Sequence, residues 1–209
     1  MALDTLGGLR AAVLGTRSDM VTQFADMLTL AEQRIYYGAD GVSPLRVLPM
    51  ESNATLAFTS GSATLPSLFL DKRALYWEGV YALSLSYEPP SVFYPMVYQR
   101  KQETYPTAYT VEGNTIKLSS TATGNGKLIY YNRAATMTAD NDTNVILAKW
   151  PGVYLFGCQI ELYRIIRNQS EMAIAAKMYA DAVTAANNQT MMARTFGGPL
   201  KRRVMGFGV

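Results

Sequence analysis

Residues 151–167 read PGVYLFGCQIELYRIIR, and the fold turns on this stretch. Pro151 suits the first position of a helix, where a missing N–H is not needed. Beyond it, apolar residues fall on every side of the helix: Val153, Tyr154, Leu155, Phe156, Ile160, Leu162, Tyr163, Ile165 and Ile166. A helix with no polar face is predicted to be buried all round, among other helices. Gly152 and Gly157 leave room for a neighbour to approach closely. On the C-terminal side, Asn168, Gln169 and Ser170 form a connection, and Ser170 is placed to cap a last helix. Met172, Ala176, Tyr179, Val183 and Ala186 mark the buried face of that helix, which ends by Arg194 before Gly197-Gly198-Pro199. On the N-terminal side, residues 144–150 suit a short helix or turn.

Helical spacing returns only at the start of the chain. Leu3, Leu6, Leu9 and Val13 suggest a short first helix, weakened by Gly7 and Gly8. Ser18 or Asp19 can cap a second, whose apolar residues Val21, Phe24, Leu28, Ala31 and Ile35 step by three and four until Gly38 and Gly41. Between these ends the sequence is rich in Thr, Tyr, Val, Ser and Pro, which favour strands and turns. Strands are predicted over 45–58, 69–77, 81–86, 108–111, 115–119 and 127–132. Glu112-Gly113-Asn114 and Gly124-Asn125-Gly126 read as hairpin turns. Residues 89–99 hold three prolines and are expected to form one short helical turn at most.

The expected fold class is α+β. The N- and C-terminal helices (1–42 and 140–196) are predicted to form a four-helix bundle around Phe24, Leu28, Ile35, Val153, Phe156, Ile160, Leu162, Tyr163 and Tyr179. An antiparallel β domain is inserted at 43–139, as an antiparallel sheet or small sandwich. An extended arm follows at 197–209.

Composition narrows the chemistry. The 209 residues include no histidine and one cysteine, Cys158, which is expected to be a packed core residue. That excludes an internal disulfide, cysteine-rich zinc sites, and any triad or dyad that needs histidine. GxxxxGK[ST], GxGxxG and HExxH are absent from the sequence. Asp140, Asn141, Asp142 and Asn144 resemble part of a calcium loop, but the loop's glycine and closing glutamate are missing, so a loop leading into a helix is the better reading. Glu161 sits near Arg164 on the apolar helix, where it can pair across helices or between subunits. The sequence shows no secretory signal and no apolar run long enough for a membrane helix, so a cytoplasmic start is expected.

The net charge of +3 lies in the arm, in Lys201, Arg202 and Arg203; the rest of the chain balances. Leu200, Val204, Met205 and Phe207 alternate with that charge, so the arm has both ionic and apolar means of docking on a partner. Fourteen tyrosines are many for this length, and Tyr76, Trp77, Tyr81, Tyr87, Phe93, Tyr94 and Tyr98 cluster. Most of that cluster is expected in core and strands, with a minority as interface anchors. Stacking on single-stranded nucleic acid would need a basic groove, and only Lys72, Arg73, Arg100 and Lys101 flank the cluster.

The order of motifs resembles the phage head-to-tail adaptor family that includes tail tubular protein A of short-tailed phages. The resemblance runs through LAEQRI (30–35), ATLPSLFLDKRALYWEG (63–79), PTAYTVEGNTIKLSSTATGNGKLIYYNRAATMT (106–138) and NVILAKWPGVYLFGCQIELYRII (144–166), then a long helix with Met178-Tyr179-Ala180, a glycine pair and a basic tail. Phe156 stands where the family often has a second tyrosine, and the loop at 36–44 is longer and richer in glycine. The resemblance implies a non-enzymatic virion protein without cofactors, assembled in the host bacterial cytoplasm. It implies a ring, commonly of twelve copies, bound below the portal protein. Such a ring continues the DNA channel, touches genomic DNA only as it passes, and carries a tail nozzle or fibres. A neck or stopper protein of a long-tailed phage, a viral nucleic-acid-binding module and a cell-wall hydrolase remain as alternatives, the last requiring two carboxylates in one cleft.

Overall fold

The computed structural model describes residues 3–78, 83–99 and 104–195. In chain order the elements are α1 (Leu6–Leu14), α2 (Phe24–Tyr37), β1 (Glu51–Phe58), β2 (Ser62–Thr64), β3 (Phe69–Glu78), β4 (Leu83–Tyr87), α3 (Pro90–Gln99), β5 (Ala108–Glu112), β6 (Thr115–Leu118), β7 (Gly124–Asn132), α4 (Val145–Lys149), α5 (Pro151–Ile165) and α6 (Gln169–Thr195). The fold is mixed α+β. It divides into two compact units, a helical one from residues 1–49 and 134–209 and a β unit from residues 50–133.

In the helical unit α5 is the hub, packing against α1, α2, α4 and α6. Val153, Tyr154 and Cys158 are fully buried, and Ile160, Glu161 and Leu162 nearly so. Gly157 sits where α5 meets two neighbours: a Cβ there would lie 3.3 Å from the Ala31 Cβ of α2 and 3.6 Å from the Tyr179 ring of α6. Two expectations need correction. Pairings of α2 with α6 and of α1 with α2 are not among the substantial ones of the described residues, so the contacts describe a hub with satellites rather than a closed four-helix bundle. Nor is α5 buried all round: Leu155, Phe156 and Tyr163 are half-buried and Ile165 is exposed, because its satellites leave one flank partly open. Phe24, Leu28, Ile35 and Tyr179 are buried.

The energetic consequence separates two large side chains on one helix. Leu162→Ala should cost about 2–5 kcal/mol in urea unfolding, as buried leucines do. Phe156→Ala should cost clearly less, since its ring already meets solvent. Equal losses would show that Phe156 is as deeply packed as Leu162.

The β unit is a seven-stranded sheet in the order β1-β7-β3-β4-β5-β6-β2. Its two end strands are consecutive in the chain, and a Thr59–Ser62 bridge joins them, so the sheet is nearly a closed barrel. The turn between them holds Ser60 and Gly61 at positive φ, and a Cβ at Gly61 would lie 2.2 Å from the Ser120 carbonyl oxygen, a place only glycine fits. Leu56, Phe58, Leu75, Trp77, Ile116 and Leu128 form the centre of the core. The expected hairpin forms between β5 and β6.

Several details depart from the sequence reading, among them the start of α2 at Phe24, which leaves Val21 outside the helix and exposed. Residues 45–48 are not strand: the Leu45 amide bonds the Ile35 carbonyl, and the amides of Arg46 and Leu48 bond the side chains of Asn187 and Thr190. Their ladder partners are thus helical side chains and a helix end. Gly124-Asn125-Gly126 is not a turn but the start of β7, paired with Phe58, Ala57 and Leu56. Its glycines make room for aromatic rings, since added Cβ atoms would lie 2.9 Å from Trp77 and 2.8 Å from Phe58. The sheet is not wholly antiparallel, because β4 and β5 pair in parallel across the α3 crossover. Finally, α3 runs for ten residues through Pro95. Burial of Phe93 and packing against β5 outweigh the lost hydrogen bond.

Candidate functional site

A charge pair buried in the helical unit joins α2 to α5. Arg34 follows the apolar stripe of α2, and Glu161 lies between the buried Ile160 and Leu162 of α5. The Arg34 Nε donates to the Glu161 Oε1 at 2.7 Å. Arg164 Nη1 reaches the other Glu161 oxygen at 3.1 Å. Arg34 Nη1 also donates to Asp40, which the glycine-rich loop after α2 carries back over the helix end. Burial works against the Arg34 charge, but Asp40 and Glu161 outweigh it and raise the guanidinium above its ordinary value. The same contact holds the Asp40 carboxyl below the usual range. Of the two pairings left open for Glu161, the chain uses the one across helices.

A second polar group ties α2, α4 and α5. Asn144 caps α4, its Oδ1 accepting from the amides of Ile146 and Leu147. Its Nδ2 donates to the Tyr154 hydroxyl at 2.9 Å, and that hydroxyl donates to Glu32 at 3.3 Å. Burial pushes both the Tyr154 phenol and the Cys158 thiol well up, so neither ionises near neutrality. The neighbouring acidic loop is likewise structural. Asp142 Oδ2 accepts from the amides of Thr138 and Ala139, Asp140 pairs with Arg10, and the carbonyls of Asp142 and Asp140 take the first amides of α1, from Leu6 and Gly7. The segment that resembled a calcium loop clamps a helix start, and no metal-holding cluster occurs among the described residues.

Acid should expose these roles. Asp40 and Asp142 have depressed folded values, so their contributions are present above the unfolded carboxylate value of about 4 and are lost as pH falls through the folded ones. The melting temperature should therefore drop on acidification below about pH 4, and Asp40→Asn should flatten that drop. A melting temperature unchanged down to pH 2 would contradict it.

In the β unit Lys117 Nζ donates to the Tyr94 hydroxyl at 2.9 Å and to Glu112 at 2.8 Å. Lys117 and Tyr94 edge a cavity of about 330 Å³ that Ser62, Phe93 and Ser119 also line. In the aromatic cluster Trp77 and Phe93 are core, while Tyr76 and Tyr87 are exposed on strands and Tyr98 is exposed on α3. Lys72 sits over the Tyr87 ring and Arg73 pairs with Glu51, so these two bases are already engaged. Tyr81, Arg100 and Lys101 lie outside the described residues, as do the arm residues Leu200, Lys201, Arg202, Arg203, Val204, Met205 and Phe207. Missing from the sequence reading was Arg34 as the partner of Glu161. The visible signal was an arginine beside an apolar stripe and a glutamate inside one.

The buried charges thus tie helices together, and large apolar side chains stand on open helix faces. The family model for the SU10 adaptor protein matches residues 3–203, and the chain belongs to that family. The resemblance seen in the motifs is thereby borne out, and the protein is a phage structural adaptor, a component of the virus particle. No curated protein matches the chain. No helix of the described residues is long and apolar enough to cross a membrane.

Proposed function

We propose that the chain is the head-to-tail adaptor of a short-tailed phage, forming a cyclic ring below the portal protein. The ring continues the DNA channel and offers a platform to the tail nozzle or fibres. The observation that carries this reading is the adaptor-family match over nearly the whole chain, 3–203. The figure of twelve copies comes from the motif resemblance. The function as proposed needs no cofactor and no turnover. Electron microscopy of particles should show this chain as a closed ring at the portal vertex; isolated copies on the capsid surface would refute the reading.

The arm belongs to this proposal. Leu200, Lys201, Arg202, Arg203, Val204, Met205 and Phe207 combine charge with apolar anchors. They dock on the portal or on a neighbouring subunit that presents acidic groups. Truncation after Phe196 should leave the thermal melt unchanged and reduce ring occupancy at the portal. Charge reversal of the three bases should do the same, more strongly at low salt. Wild-type occupancy of the truncated protein would make the arm dispensable.

A further inference from the structure

Two helix faces among the described residues of the helical unit carry exposed apolar side chains, and they differ. On α2, the exposed residues Asp26, Leu30, Gln33 and Tyr37 step by four, three and four along the side away from the hub. Tyr37 is 63% exposed. On α6, a helix of 27 residues, Ile174, Met178, Asp181, Ala185 and Asn188 keep the same steps, all exposed. Ile174 is 51% exposed and Met178 46%. Such spacing places one row of side chains along one helix surface. The buried row of α6, through Ala175, Tyr179, Val183 and Ala186, accounts for its packing on α5, and Ile174 and Met178 stand on another side of the helix.

Charge adds a direction. Asp26 and Lys177 take part in no ion pair among the described residues. Asp26 stands a turn before Leu30, and Lys177 stands beside Met178. A face with a free acid beside an exposed leucine complements one with a free base beside an exposed methionine. Asp181, one turn beyond Lys177, would oppose Asp26 in other registers and so restricts the alignment. Paired with itself, α2 would set Asp26 against Asp26 and gains nothing in charge, whereas α6 paired antiparallel with itself sets Lys177 against Asp181, an arrangement that a crosslink from α6 alone would reveal.

We propose that the outer face of α2 docks on the outer face of α6 of a second copy of this chain, with Leu30 against Met178 and Asp26 opposite Lys177. Each copy then has one face of each kind to offer, a heterologous contact that repeats head to tail and closes when the rotation allows. This rests on the ring reading and supplies its subunit interface.

The test uses engineered cysteines in the full chain, because Cys158 is buried and silent toward maleimides. The double variant Leu30→Cys/Met178→Cys, treated with a two-headed maleimide both as purified protein and in assembled particles, should give a ladder of dimers, trimers and higher species. A mixture of the two single variants should stop at dimers. Asp26→Lys and Lys177→Asp should each lower the crosslinked yield about two- to fivefold, within the range of an exposed pair, and together restore it. Restoration separates interface pairing from the loss of a favourable acid in the first turn of α2, which the second change cannot repair. Dimers from Met178→Cys alone would mean an isologous α6 seam and overturn the proposal. Rings seen by microscopy without a ladder would sink this interface while leaving the ring reading standing. Neither rings nor ladder would sink both.

Discussion

Arg34→Ala is expected to lower the unfolding free energy by about 3–5 kcal/mol, the cost of leaving one partner of a buried ion pair behind. Glu161 is 1% exposed and would keep only Arg164, whose own side chain is half exposed. Asp40 would lose its partner too, but it stands mostly in water and adds little. The damage therefore centres on Glu161, the group that cannot reach solvent. Removing both charges is the control. Arg34→Met with Glu161→Leu replaces the pair by apolar groups of similar size, and such exchanges are often neutral or stabilising. The double variant should recover most of the loss in urea unfolding at neutral pH. A single variant within about 1 kcal/mol of the wild type would show that Arg164 alone satisfies Glu161.

Gly157→Leu is the second large effect. Even the first added carbon would press on Ala31 at 3.3 Å and approach the Tyr179 ring at 3.6 Å. Those residues come from α2 and α6, both already packed on α5, so the further carbons of leucine have no empty space to enter. Overpacking typically costs about 1–3 kcal/mol and forces backbone shifts, and here two interfaces carry the strain at once. Gly157→Ala separates crowding from helix propensity. Alanine favours the helix by about 1 kcal/mol over glycine, against a close contact that must give by a few tenths of an ångström. Alanine should be near neutral and leucine clearly destabilising in thermal melts. If leucine melted like the wild type, the helices would have to be separable at Gly157 and α5 would not be their common hub.

Much of the helical unit was legible because its signals are local. Pro151, an almost unbroken apolar helix and two glycines announce α5 within one stretch of seventeen residues. The stripes of α2 and α6 announce which sides they bury, and the absence of histidine removes whole classes of chemistry. The ordered motifs were enough to point to the adaptor family.

What stayed hidden depends on partners far along the chain. Residues 45–48 look like strand in composition, yet Asn187 and Thr190, some 140 residues later, take their amides. Gly124 and Gly126 look like a turn until Trp77 and Phe58 are seen to need the space of a missing Cβ. Pro95 looks like a helix breaker, and burial of Phe93 decides otherwise. Glu161 could be read as charged and inward, but its partner Arg34 lies 127 residues earlier. The sequence by itself determined which segments have a periodicity and which chemistries have their atoms. Only the tertiary structure decided which backbone amides, rings and charges meet, because burial free energy is settled by neighbours in space and not along the chain.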